Sequence, residues 1–290
     1  MSGVSMNTMK QPTPSLSQHP TAAGKAVKSS FYWAMRFMPS ERREAMYVVY
    51  AFCREVDDIA DGNDSVENKL VRLARWREAI DQIYTDAKPD HEMANLKLVV
   101  NQYGLNKADL IAVIDGMEMD ANTTVRIADE DTFDLYIDRV ACAVGRLSDK
   151  VFGVTGPDAE KLAHHLGRGL QITNILRDLD EDAERSRLYL PLSMLQDAGI
   201  ETDKLEDVLT HPNLHTVLEM LAIRAHDHFG KARDALSRLD KTKTRPARMM
   251  MAVYERVLKR LEARGLANTQ TSVALPKWMK LWLAVRHGLF

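Results

Sequence analysis

At 290 residues, 45% hydrophobic and 28% charged, the chain could form one large domain or two ordinary ones and can bury a sizeable core. Its formal net charge of -2 lacks the basic excess of a nucleic-acid-binding protein, and its two cysteines, Cys53 and Cys142, have neither disulfide nor zinc spacing. No apolar run reaches the length of a membrane span, so a reducing cytoplasm is the expected setting.

Residues 1–21, rich in Ser, Thr, Pro and Gln and without the apolar core of a secretory signal, read as a disordered tail. Beyond them helical periodicity dominates. It predicts helices over 22–37, 40–61, 66–86, 90–102, 106–122, 131–153, 157–183, 203–209, 214–239, 246–264 and 275–287. Several starts are marked: Pro39-Ser40 before Glu41 and Glu44, Ser65 before Glu67, and Pro157-Asp158 before Glu160. Runs of β-branched alternation are short and no hairpin dipeptide separates two of them, so the expected fold is all-α, one domain over 22–290. The longest irregular stretches are 183–202 and 240–245. The last segment, 272–290, mixes Trp278, Leu281, Trp282 and Val285 with Lys277, Lys280 and Arg286. It reads as an amphipathic helix that either lies on a membrane surface or docks on the body of the protein.

Two of these helices carry paired aspartates. In YVVYAFCREVDDIADG (47–62), Tyr50, Arg54, Asp57 and Asp61 fall within roughly 60° on a helical wheel, with Asp58 roughly 60° further round. In LQITNILRDLDEDAERSRLYLP (170–191), Gln171, Asn174, Asp178 and Asp182 fall within roughly 80°. One reading is a solvated face on each helix, since exposed like charges at this spacing cost little. Against it, the stripes hold Gln, Asn, Tyr and Arg in place of a Lys/Glu mixture, and show no basic counterweight of equal number. Carboxylates one turn apart can share Mg²⁺, which takes one or two carboxylates and completes its shell with phosphate oxygens and water. The second reading is therefore a pair of Mg²⁺ anchors holding a diphosphate inside an apolar helical barrel.

DDIAD (57–61) and NILRDLDED (174–182) resemble the two aspartate-rich motifs of the squalene and phytoene synthase family, and SSFYWAMRFMP (29–39) and LGRGLQITNILRDLDEDAERSRLYLP (166–191) match its flanking segments. The resemblance covers roughly residues 22–264, with four motifs in order. It implies an isoprenoid-synthase helical bundle around a central apolar cavity, joining two isoprenoid diphosphates head to head through a cyclopropyl intermediate. DGMEMD (115–120), DRVACAVGRLS (138–148) and RSRLYLP (185–191) are most similar to the bacterial presqualene diphosphate synthases of hopanoid biosynthesis, which condense two farnesyl diphosphates and stop at presqualene diphosphate. One stretch departs from the broader family: YIDRVACAVG has Asp138-Arg139 where an aromatic precedes the VAG triplet, and Cys142 for its glycine.

The resemblance also implies roles. Asp57, Asp58 and Asp61 would hold Mg²⁺, with Mn²⁺ as substitute. Asn174, Asp178 and Asp182 would hold more, supported by Gln171, and Asp120 is either an accessory ligand or a surface acid at a helix end. Arg54 would fork onto phosphate; Arg177 would reach phosphate or pair with Asp178. Ser29 and Ser30 would donate hydroxyls or merely cap a helix. Phe31, Tyr50 and Phe52 would shelter an allylic cation or simply pack. Arg185, Arg187 and Tyr189 form either a flap over the diphosphates or a solvated loop. Arg139 would hold the intermediate's diphosphate and oppose a second ionisation, or pair with Asp138 or Asp134. His164 and His165 are given no role. NADPH is not expected, the partners are two farnesyl diphosphates and downstream isoprenoid enzymes, and peripheral contact with the inner face of the membrane would suit an insoluble product. The alternatives are a phytoene or dehydrosqualene synthase, an NADPH-dependent squalene synthase, and a helical scaffold without catalysis.

Overall fold

In the computed structural model residues 34–36, 38–85, 91–269, 271 and 273 are described. The tail over 1–21, Ser29, Ser30, Phe31 and the helix expected over 275–287 lie outside them. Helix α1 (Ser40–Asp61) starts after Pro39, carries Glu41 in its first turn where the helix dipole favours an anion, and stops at Gly62. Met46, Val49, Phe52, Val56 and Ile59 recur every three or four residues and are buried, which turns Tyr50, Arg54, Asp57 and Asp61 to another face. Helix α2 (Val66–Ile83) is capped by Ser65, whose hydroxyl accepts the Asn68 N–H at 3.3 Å. Next come α3 (His91–Tyr103), α4 (Lys107–Asp120), the short strand β1 (Val125–Ile127) and α5 (Glu130–Ile137), capped by Asp129 on the Thr132 N–H at 2.8 Å.

A π-helical turn over Asp138–Cys142 joins α5 to α6 (Ala143–Phe152), within the single helix that the periodicity predicts over 131–153. The turn packs on α4 at Gly116, where a side chain would collide with Val140. The 28-residue α7 (Pro157–Glu184) follows, then β2 (Arg187–Pro191), α8 (Leu192–Asp197), α9 (Leu205–Thr210), α10 (Leu214–Arg238) and α11 (Arg245–Arg264).

One contiguous apolar core runs from Met35 to Leu261. Helix α7 is its centre, packed on α6, the π turn, α10, α11 and β2, while α1 reaches the same core through α4 and α6. The all-α expectation holds, with one correction. The stretch 183–202 is not irregular: Arg187–Pro191 pairs in parallel with Val125–Ile127, and α8 follows directly. All five residues of β2 are buried, so the strand has no polar alternation for a reader of the sequence to detect.

Two glycines let α7 approach its neighbours. A Cβ on Gly167 would lie 2.9 Å from both the backbone N and Cα of Cys142, and one on Gly169 would meet the Phe229 ring at 2.8 Å. Backbone cannot step aside as a flexible side chain can. Gly167→Ala is therefore expected to destabilise the fold by about 1–2 kcal/mol despite alanine's better helix propensity, read as a lower denaturant midpoint with unchanged slope.

Candidate active site

Four segments far apart in sequence meet at the end of the bundle where α1, α4 and α7 carry their acids. Arg187, the first residue of β2, is the hub. Its Nη1 donates to Asp61 Oδ1 at 2.7 Å, and its Nη2 donates to the carbonyls of Asp120 at 3.2 Å and Ala60 at 3.4 Å. Arg185 donates to the other Asp61 oxygen at 3.0 Å. Ser186 between them has φ of 59°, the left-handed region that serine seldom adopts, and its own carbonyl accepts the Val125 N–H at 3.2 Å.

Behind the hub, the buried carboxylate of Asp120 accepts hydrogen bonds from Tyr189 at 2.7 Å and Tyr136 at 3.1 Å, and the two rings stack with centroids 4.9 Å apart. Asp120 is thus no surface acid, and Arg187 and Tyr189, 9% and 5% exposed, are no solvated loop. Arg185 is the exposed member of that trio.

Each acidic stripe has one arginine of its own, fewer than its acids. Arg54 spans Asp57 at 2.5 Å and Asp58 at 2.6 Å. Arg177 grips both oxygens of Asp178 at 2.7 and 2.5 Å, and Tyr254 of α11 hydrogen-bonds to Arg177 in turn. Negative charge still prevails. Burial, then the neighbouring Asp61, pushes Asp57 up to about 6 against the pull of Arg54. Burial pushes Asp120 up to about 6 against the Tyr189 hydrogen bond, and burial with Asp178 pushes Asp182 up to about 7. Burial is the first cause at all three, and neighbouring carboxylates add to it.

No three His, Cys, Asp or Glu side chains among the described residues stand close enough to cage a metal. The donors fit a cation that completes its shell with phosphate oxygens and water, as Mg²⁺ does. Asn174 carries the clearest sign: its Nδ2 donates to Gln171 Oε1 at 3.3 Å, while its Oδ1 is buried without a partner, one turn before Asp178. A buried oxygen without a partner beside a carboxylate is an atom that a cation or a water would satisfy.

Below this polar end an apolar cavity of about 200 Å³ lies between α6, α7 and α11. Gln171 and Asn174 line one end, Phe152 and Leu162 the other, with Val144, Leu166, Leu170 and Met250 among the walls. Phe52 is buried edge-to-face against Trp76 at 5.5 Å, which makes it core packing, whereas Tyr50 is half-buried on the stripe. Arg139 is not on the cavity wall. It faces Asp115 at 3.7 Å and Met119 Sδ at 3.4 Å, while Asp138 engages Arg146 at 3.0 Å and Asp134 engages Arg224. The π turn presents Val140 and Ala141 to the cavity instead, with Val144 of α6 following, an offset that a regular helical wheel misplaces.

The squalene/phytoene synthase profile matches residues 25–279. The chain belongs to the squalene/phytoene synthase family. It is 43% identical over 266 residues to a presqualene diphosphate synthase of Rhodopseudomonas palustris (92% of this chain, 95% of that one). It is 45% identical over 262 residues to one of Zymomonas mobilis (90% and 89%). A phytoene synthase of Mycobacterium tuberculosis is 32% identical over 266 residues (86% and 87%). Among solved structures, squalene synthase HpnC from Alicyclobacillus acidocaldarius superposes with a TM-score of 0.73 at 22% identity (83% of this chain, 90% of that one). A dehydrosqualene synthase superposes with 0.74 at 22% identity (92% and 93%). At that identity the structures speak for the shared all-α fold.

In this squalene/phytoene synthase family member two tyrosines belong to the site that the sequence reading passed over. Tyr136 sits in the quoted run YIDRVACAVG, where Arg139 drew the attention. Tyr254 lies in a helix with no motif, and only its approach to Arg177 reveals it.

Proposed function

We propose that the protein condenses two farnesyl diphosphates head to head to presqualene diphosphate. The observation that carries this is the convergence of both aspartate stripes on Arg187, on the side of an apolar cavity whose near end Gln171 and Asn174 line. Relatives at 43% and 45% identity with that printed activity support it over the phytoene synthases, at 32%. In the reaction the C–O bond of one substrate breaks and its diphosphate leaves with the electron pair. The allylic cation then bonds to a double bond of the second substrate, and loss of one proton closes the cyclopropane.

Asp57, Asp58 and Asp61 on one side and Asn174, Asp178 and Asp182 on the other would hold Mg²⁺ or Mn²⁺, with Asp120 behind them as the accessory acid. The metal, when bound, supplies Lewis-acid charge to the leaving diphosphate. Arg54, Arg177, Arg185 and Arg187 now rest on aspartates and turn their forks to phosphate oxygens when the substrate enters. Gln171 accepts from Asn174 Nδ2 and so leaves Asn174 Oδ1 for the metal. Tyr50 offers a ring face to the cation, and Val144, Leu166, Leu170 and Met250 keep water from it. Ser29, Ser30 and Phe31 belong to the same proposal, from outside the described residues. Arg139, turned to Asp115 and off the cavity wall, has no part in it. No helix among the described residues is long and apolar enough to cross a membrane. Peripheral contact through 272–290, a segment largely outside the described residues, and supply to hopanoid synthesis complete the reading.

Labelled farnesyl diphosphate tests it. The expected product is presqualene diphosphate, with NADPH making no difference and with diphosphate binding only when divalent metal is present. Squalene as the main product with NADPH, or phytoene-type hydrocarbon without it, would move the protein to another branch of the family. Metal-independent diphosphate binding without turnover would make it a scaffold.

A further inference from the structure

Asp149 takes no part in the chemistry above, yet it lines the same cavity, 6% exposed. Its Oδ2 is buried and has no hydrogen-bond partner, and burial alone pushes the carboxyl up to about 8. Beside it Ser148, also on the cavity wall, donates its hydroxyl to the Val144 carbonyl at 2.7 Å. The surrounding wall of Val144, Phe152, Leu162 and Leu166 offers the acid no partner.

Its depth is set by the helix pair. Gly145 abuts Ala163 and Gly167 abuts Cys142, so α6 and α7 run antiparallel. Asn174 marks the polar end, and Asp149, one turn beyond Gly145 beside Phe152, lies ~20 Å further down at the helical rise per residue. A chain whose diphosphate sits at Asp178 therefore points its hydrocarbon tail at this carboxyl.

We infer that Asp149 is a specificity-determining residue, a polar stop at the deep end of the cavity that admits a fifteen-carbon isoprenoid chain and disfavours a twenty-carbon one. The inference rests on the prenyl diphosphate reading above. A carboxylic acid that the protein leaves unpartnered at the cavity floor would take its hydrogen bond from water in the empty cavity. Hydrocarbon pushed onto it displaces that water and returns no hydrogen bond, and such a loss is worth about tenfold in affinity.

The test uses the full chain with Mg²⁺ and compares kcat/KM for geranylgeranyl and farnesyl diphosphates in the wild type, Asp149→Leu and Asp149→Asn. Leucine keeps the branching of aspartate at Cγ and is bulkier, so it removes polarity without deepening the cavity. Asp149→Leu is expected to raise the twenty- to fifteen-carbon ratio about tenfold, mostly through KM, and Asp149→Asn to stay within about twofold of wild type. A ratio unchanged or lowered in the leucine variant means that the floor acts by size alone and overturns the inference. An equal rise in the asparagine variant also overturns it. Should the leucine variant fail to fold, Asp149→Met, likewise apolar and no shorter than aspartate, carries the same expectation. Absence of turnover with either substrate in every form overturns the prenyl diphosphate reading itself, whereas normal farnesyl turnover with an unmoved ratio overturns only this inference.

Discussion

Asp178→Asn is expected to lower turnover of farnesyl diphosphate by about 10²–10³-fold while leaving the melting temperature nearly unchanged. The substitution keeps the shape of a side chain that is 30% exposed but removes the charge that Arg177 grips and that a divalent cation would need. A partly exposed ion pair of this kind contributes little to stability, on the order of 0–1 kcal/mol, so the fold should tolerate its loss. Asp57→Asn, on the opposite stripe, should behave alike, and excess chelator should reproduce both losses in the wild type. Steady-state turnover across a Mg²⁺ titration, with circular dichroism melts of the same samples, separates the outcomes. Undiminished turnover in chelator would sink the metal role, and melting of the asparagine variants at room temperature would make the stripes structural.

The second large effect is expected at Arg187. Its side chain is 11% exposed, and its guanidinium answers Asp61 together with two backbone carbonyls. Removing one partner of such a pair strands the other, and Arg187→Met should cost about 2–4 kcal/mol, the exposure of Asp61 keeping it below a fully buried case. Arg187→Lys, which restores charge without the fork, should recover part of that loss.

The pH dependence gives a sharper check. Asp57, Asp120 and Asp182, at about 6, 6 and 7, sit above their unfolded value of ~3.9, so the folded state binds more protons than the unfolded chain between about pH 4 and 7. For these groups stability rises as pH falls through that window and declines as pH rises. Arg187 lowers all three, so its loss should steepen the decline. Denaturant unfolding at pH 5.5 and pH 8 should show the larger penalty of Arg187→Met at pH 8. Equal penalties at the two values would mean that the guanidinium acts by packing and not by charge.

Both aspartate stripes were legible from the chain alone because each lies within one helix, and helical periodicity is local. Met46, Val49, Phe52, Val56 and Ile59 bury one face of α1, which by itself turns Asp57 and Asp61 to another. The four family motifs, in order, likewise carried the fold class. What the sequence left open was decided by segments that meet only in the folded chain. Asp120 reads as a helix-end acid until Tyr136 and Tyr189 close over it, and Arg185-Ser186-Arg187 reads as a loop until β2 pairs with β1 and draws Arg187 onto Asp61, 126 positions away. Arg139 turned toward Asp115 because a π turn, packed where Gly116 leaves room, shifts the register of side chains after it. Asp149 looks like any polar residue on an amphipathic helix, and only the packing of α6 on α7 shows that it faces a cavity with no partner. Periodicity tells which side of a helix is polar, whereas the partner that neutralises each charge depends on long-range packing that local pattern does not encode.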